Sequence, residues 1–203
     1  SRQSVHTPTF QRLLRDAGYL TQAIGKMHFV PSREGFGMER LCLSEEIPGT
    51  VEEDEFLTDL VAAGFGHAEE PHGMRSHMYY VPQVSQLPDA LHTTTWTGRK
   101  TVEFIEAQAG REQPWLCWTG FIKPHPPFDP TVPFNTLYDP VEMPLPIRGP
   151  ACKDNRVWWQ LFQNTGKWMD LNPDLHFCQA QKAHYWACVS MVDRQVGRIL
   201  DAL

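Results

Sequence analysis

The run Trp115-Leu116-Cys117-Trp118-Thr119-Gly120-Phe121-Ile122 constrains this chain more than any other segment. It is apolar at almost every position, rich in aromatics and too short for an independent helix. That pattern predicts a strand buried on both faces and central in a sheet. Immediately beyond it, residues 124–150 hold nine of the chain's 17 prolines. Proline removes a backbone donor and fixes φ, so this stretch excludes interior helix and central strand and reads as a stiff, extended excursion.

A strand buried on both faces needs covering layers, and helical patterns supply them. Thr7 as N-cap, Pro8 at the first helical position, the apolar stripe Phe10, Leu13, Leu14 and Ala17, and a terminating Gly18 predict a short helix over 8–17. Residues 19–24 then read as a second strand, and Gly25 releases the chain into a loop. Further helices are expected over 54–63, stopped by Gly64, and from Thr95 to about Ala109. The last is expected from about Gln179 to the end, with Tyr185, Val189, Val192, Val196, Ile199, Leu200 and Leu203 as its apolar stripe. The segments 30–53 and 65–94 show no sustained period and read as irregular. Helices alternating with buried strands predict an α/β fold with a largely parallel sheet.

In such sheets ligands gather at the carboxyl ends of strands. Both strand candidates are followed by a lysine and a histidine, Lys26/His28 and Lys123/His125. On an extended segment Lys26 and His28 project to the same side. Together they could hold an anion and protonate a leaving oxygen. On spacing alone the commoner reading is a solvated lysine and a hydrogen-bonded histidine. His125 stands between prolines that restrict its backbone, which suits either a preorganised catalytic group or simply a rigid turn. His67, His72 and His77 recur every five residues, a spacing that fits no standard metal pattern, and a solvated polar loop is the preferred reading. Trp158, Trp159 and Trp168 are read as packing for the proline-rich excursion, with a pocket lining as the alternative. The five cysteines form no C-x-x-C pair and are read as mostly buried free thiols.

Leu14-Arg15-Asp16-Ala17-Gly18-Tyr19-Leu20-Thr21-Gln22-Ala23-Ile24-Gly25-Lys26-Met27-His28-Phe29 closely resembles the second signature of the sulfatases, G-Y-x-T-x-x-I-G-K-x-H. Lys123-Pro124-His125-Pro126-Pro127-Phe128 is similar to that family's P-H-x-P-F segment, and Tyr185 to Leu203 resembles its Y-x-A-x-V-x-x-V-D-x-x-V-G-x-I-L-x-x-L helix. The resemblance implies an alkaline phosphatase-like α/β sandwich, with residues 1–203 as the central part of a single catalytic domain. Within that domain, 30–94 and 124–176 would be largely irregular excursions. It implies a sulfuric ester hydrolase in which Lys26, His28 and His125 contact the sulfate and its leaving oxygen; it assigns no role to Lys123. It also implies a formylglycine nucleophile and a divalent cation, calcium or, in some relatives, manganese.

The family's C/S-x-P-x-R nucleophile motif and its metal-binding aspartate pairs do not occur in these 203 residues. The expectation is therefore an internal fragment, with the nucleophile and metal ligands elsewhere in an intact parent, and a chain that is inactive alone. The partner would be a small-molecule or saccharide sulfate ester. The alternatives are a phosphonate monoester or phosphodiester hydrolase on the same scaffold, or a noncatalytic anion- or sugar-binding module. A net charge of −6 with scattered lysines and arginines argues against nucleic acid. No run of 18 apolar residues suggests a membrane span, and the compartment is left open.

Overall fold

The structure is a computed structural model and describes residues 7–147, 157–162 and 174–203. Contacts divide the chain into two compact units. One comprises Ser1–Glu69, Ala90–Ile122 and Val192–Leu203; the other comprises Glu70–Asp89 and Lys123–Met191.

The first unit is layered α/β. Its sheet is wholly parallel, in the order β2-β1-β3, with β1 (Leu20–Gly25) between β2 (Arg40–Leu43) and β3 (Trp115–Gly120). Registers pair Gln22 with Arg40 on one side of β1 and Leu20 with Trp115 on the other. Every residue of β1 is buried, as expected of the strand that has neighbours on both sides. The prediction that the 115–122 run would be central is corrected: among the described strands β3 is at the edge, and its Trp118 is 46% exposed. The reading of this run as buried on both faces is corrected with it, since the other residues of β3 are only half-buried; an apolar run does not by itself tell which strand has neighbours on both sides. β2 falls in a segment read as irregular. Four residues are too few for a period to show, and pairing with β1 is what makes them a strand.

Helices cover both faces. On one, Leu20 and Ile24 pack with Phe104 and Ile105 of α3 (Thr93–Gln108), joined by the partly buried Ile199 and Ala202 at the end of the last helix. On the other, Trp118 meets Phe10 of α1 (Phe10–Asp16) at 5.5 Å between ring centroids. α1 is capped by Thr9, whose side chain accepts from Arg12 N, not by Thr7. The helix closes with Gly18 N donating to Arg15 O and Tyr19 N to Leu14 O, the paired bonds that end a helix on glycine. The expected apolar stripe of α1 is not buried: Leu13 is 65% exposed. α2 (Glu55–Ala62) buries Phe56 and Leu60, and Phe56 meets Trp96 of α3 edge-on at 5.6 Å. α3 begins two residues before the predicted Thr95, with the His92 ring nitrogen accepting from Thr94 N.

In the second unit the proline-rich stretch runs without α-helix or strand over residues 123–147. It packs on the middle turns of α5 (Leu175–Asp201), where Phe128 meets Tyr185 and Tyr138 meets Trp186 edge-on, and Tyr138 Oη lies 2.7 Å from Ser190 Oγ. α5 starts four residues before the predicted Gln179, and Asp174 accepts from His176 N at its start. Its buried face is also not the predicted stripe. Ala183, Ala187, Cys188, Met191 and Gln195 are buried, whereas Tyr185, Val189, Val196 and Leu200 are exposed. Close approach selects small residues at the contact: within the first unit, a Cβ on Gly98 of α3 would collide with the Gln195 side chain. α4 (Trp158–Phe162) exposes Trp158, Trp159 and Phe162, which contact one another, so the packing read for Trp158 and Trp159 is corrected. Trp168 lies outside the described residues.

The four described cysteines are free thiols; Cys188 is fully buried and Cys42, Cys117 and Cys178 half-buried. Burial pushes the Cys42 and Cys188 thiols up to about 12 and Cys117 up to about 11. No described helix is long and apolar enough to cross a membrane.

Candidate active site

β1 and β3 end on glycines that face each other. Gly25 has φ +86, a conformation that disfavours side chains; a Cβ there would collide with Gly120 O, and one on Gly120 would collide with Lys26 O. Lys26 N then donates to Gly120 O at 2.8 Å, so the ladder runs one bond past the strand before the Lys26-Met27-His28 loop begins.

That loop is held from the segment after β2. Ser44 N donates to Gly25 O at 3.2 Å, which carries β2's direction forward and brings Glu45 and Glu46 against the loop. The buried Glu45 carboxylate accepts from Met27 N at 2.9 Å and from His28 N at 2.9 and 3.2 Å. Glu46 Oε2 lies 2.6 Å from Lys26 Nζ, with the two side chains only 11% and 18% exposed. Glu45 is itself anchored, since its backbone N–H donates to Asp54 Oδ2 at 2.6 Å while Asp54 Oδ1 accepts from Leu57 N as the N-cap of α2. Burial pushes the Asp54 carboxyl up to about 6, against the pull of these two backbone donors.

His28 has φ +57 and is outside the strand. The extended-segment argument for Lys26 and His28 is therefore corrected: strand alternation does not place them. Two carboxylates seventeen to twenty residues away do, and no local spacing in the sequence points to them. A cavity of about 340 Å³ opens beside His28, lined among others by Phe29, Val30, Glu45, Glu46 and Glu53.

His125 belongs to the second unit and is exposed. Its Nδ1 lies 2.7 Å from Pro126 O. A carbonyl only accepts, so Nδ1 carries the proton of the neutral ring and Nε2 is the basic nitrogen. The Tyr79 ring meets the imidazole edge-on at 6.2 Å. Lys123 is 2% exposed, paired with the buried Asp129 and donating to His72 O at 3.0 Å and Pro127 O at 2.7 Å. This lysine braces the turn that carries His125. His72 is buried, which corrects the solvated reading for that residue alone: His67, Glu69 and Glu70 are exposed, and His67 stacks on Phe65 at 5.7 Å. Among the described residues, no group of three or more His, Cys, Asp or Glu could hold a metal ion, so these side chains do not fit one.

A parallel α/β sheet whose central strand opens, at its carboxyl end, onto a tethered lysine and a backbone-clamped histidine belongs to the class that handles ligands at strand termini. The family follows from comparison: the sequence profile of the Sulfatase family matches residues 2–203, and the chain belongs to that family. It is 25% identical over 218 residues to an arylsulfatase of Clostridium perfringens, covering 92% of this chain and 41% of that protein. It is 26% identical over 211 residues to a choline-sulfatase of Rhizobium meliloti, covering 97% of this chain and 38% of that one. The phosphonate monoester hydrolase SpPMH from Silicibacter pomeroyi superposes with a TM-score of 0.69 at 20% identity, covering 98% of this chain and 44% of that one. That of Agrobacterium radiobacter gives 0.69 at 19%, covering 100% and 45%. These likenesses show the alkaline phosphatase-like sulfatase fold, and the chain spans about two-fifths of the length of these curated relatives.

Proposed function

We propose that the full-length protein carrying this chain is a sulfuric ester hydrolase, and that the chain forms the central part of its single catalytic domain. The reading is supported above all by the family match over residues 2–203. Lys26, His28 and His125 are the residues of this chain that act on the sulfate group. Lys26 offsets negative charge on the transferred group. His28 and His125 orient that group or deliver a proton to the departing alcohol oxygen. The fixed Nδ1 bond of His125 sets the tautomer with which its ring would do so.

Sulfatases generally use a divalent cation. Because the described side chains do not fit one, the cation, calcium or alternatively manganese, and the formylglycine of this family are assigned to other parts of the full-length protein. The chain alone is then inactive. Its partner is a small-molecule or saccharide sulfate ester. The fold shared with the two phosphonate monoester hydrolases accommodates a second reading, cleavage of a phosphonate ester. Hydrolysis of an aryl sulfate and an aryl phosphonate monoester by the full-length protein, with and without His125→Ala, tests both. Sulfate turnover that collapses in the variant supports the proposal. Faster phosphonate turnover replaces it with the second reading, and metal-dependent turnover of neither leaves a noncatalytic binding module.

A further inference from the structure

The charge that a site offers decides how many negative charges its substrate should carry. Sulfate esters and phosphonate monoesters carry one, whereas a phosphate monoester carries roughly two at neutral pH. In the first unit the candidate anion-holding group, Lys26 Nζ, is already engaged by Glu46 at 2.6 Å, in surroundings that leave both side chains mostly buried. An anion hydrogen-bonded to Lys26 would lie within about 6 Å of the Glu46 carboxylate. Glu45, whose carboxylate holds the amides of Met27 and His28, adds a second negative charge next to the first. The Lys26 side of the site thus supplies a donor while offering no net positive charge.

We infer that Glu46 is a specificity-determining residue: it positions Lys26 and, by offsetting its charge, selects singly charged esters over doubly charged ones. This rests on the reading of Lys26 as the anion-holding residue of a hydrolase. Charge repulsion scales with the charge of the ligand, and partial burial limits its screening. Removing the Glu46 charge relieves a dianion more than a monoanion. A carboxylate kept only for structural reasons has no such dependence.

The test uses the full-length protein, wild type, Glu46→Gln and Glu46→Asp. Gln keeps an acceptor for Lys26 without the charge, and Asp keeps the charge on a shorter arm. The kcat/KM values are measured for an aryl sulfate, an aryl phosphonate monoester and an aryl phosphate. In parallel, calorimetry follows binding of phenylsulfonate, singly charged, and phenylphosphonate, doubly charged in mildly alkaline buffer. The expected result is a shift of on the order of ten-fold or more toward the dianion in both ratios for Glu46→Gln, with Glu46→Asp close to wild type. Equal losses for all ligands, or the same shift in Glu46→Asp, overturn the inference. If the wild type turns over none of the three esters, the hydrolase reading falls and the binding ratio alone decides the role of Glu46. Failure of the wild type to bind either phenyl anion overturns the inference as well.

Discussion

At the scale of single residues, His28 depends on a contact that its neighbours in sequence do not make. A histidine at φ +57 adopts a conformation sparsely populated by side-chain-bearing residues, and the Glu45 carboxylate, bonded to its N–H and that of Met27, holds it there. Glu45→Ala should lower kcat of the full-length protein by on the order of ten-fold through misplacement of the imidazole. His28→Ala, His125→Ala and Lys26→Ala should each cost on the order of 100-fold. Steady-state kinetics on an aryl sulfate with this set checks the order: the positioning variant should fall between wild type and the three direct ones. Asp54 gives a prediction about pH. Burial raises its folded-state value from the ordinary 3.8 to about 6, so between these values the folded protein holds more proton than the unfolded chain. Stability contributed by protonated Asp54 is full below the lower value and is lost as pH rises through about 6. The thermal midpoint of Asp54→Asn, compared with wild type from mildly acidic to neutral pH, should therefore gain relative to wild type as pH rises, offset by a pH-independent loss from altered capping.

At the scale of elements, the turn bearing His125 is braced by a buried ion pair, Lys123 with Asp129, and by two carbonyls that accept from the same ammonium. Removing one partner strands the other in an apolar setting. Lys123→Met should destabilise by about 3–5 kcal/mol, and the double variant Lys123→Met/Asp129→Leu should recover much of that loss, because a buried pair contributes less than its halves cost when separated. Urea unfolding of the single and double variants measures both. Apolar periodicity made α2, α3 and the existence of α5 legible in the sequence, a near-continuous apolar run did so for β3, and glycine punctuation did so for β1. It failed for β2, four residues long, and for the buried face of α5. There Ala183, Ala187, Cys188, Met191 and Gln195 are buried while Val189 and Leu200 are exposed. Hydrophobicity ranks residues by transfer energy, whereas burial follows which neighbours the fold brings against each position, as Gly98 of α3 is brought against Gln195.

At the scale of the whole molecule, the 203 residues match the Sulfatase family almost end to end and span about two-fifths of its curated relatives. Purified alone, the chain should show no turnover of an aryl sulfate in the presence of calcium or manganese, while the full-length protein does; hydrolysis by the isolated chain would sink that expectation. What the sequence by itself determined is the α/β class, the family, and the placing of Lys26, His28 and His125 just beyond the two main strands, since glycine and proline punctuation and apolar periods are local. Only the tertiary structure decided that β1 is the central described strand, that Lys123 is buried and braced while Lys26 is tethered, and that Glu45 and Glu46 hold the loop between them. Those facts depend on which segments pair across the sheet and which carboxylates arrive beside which donors, and contacts between residues twenty positions apart leave no spacing in the chain to read.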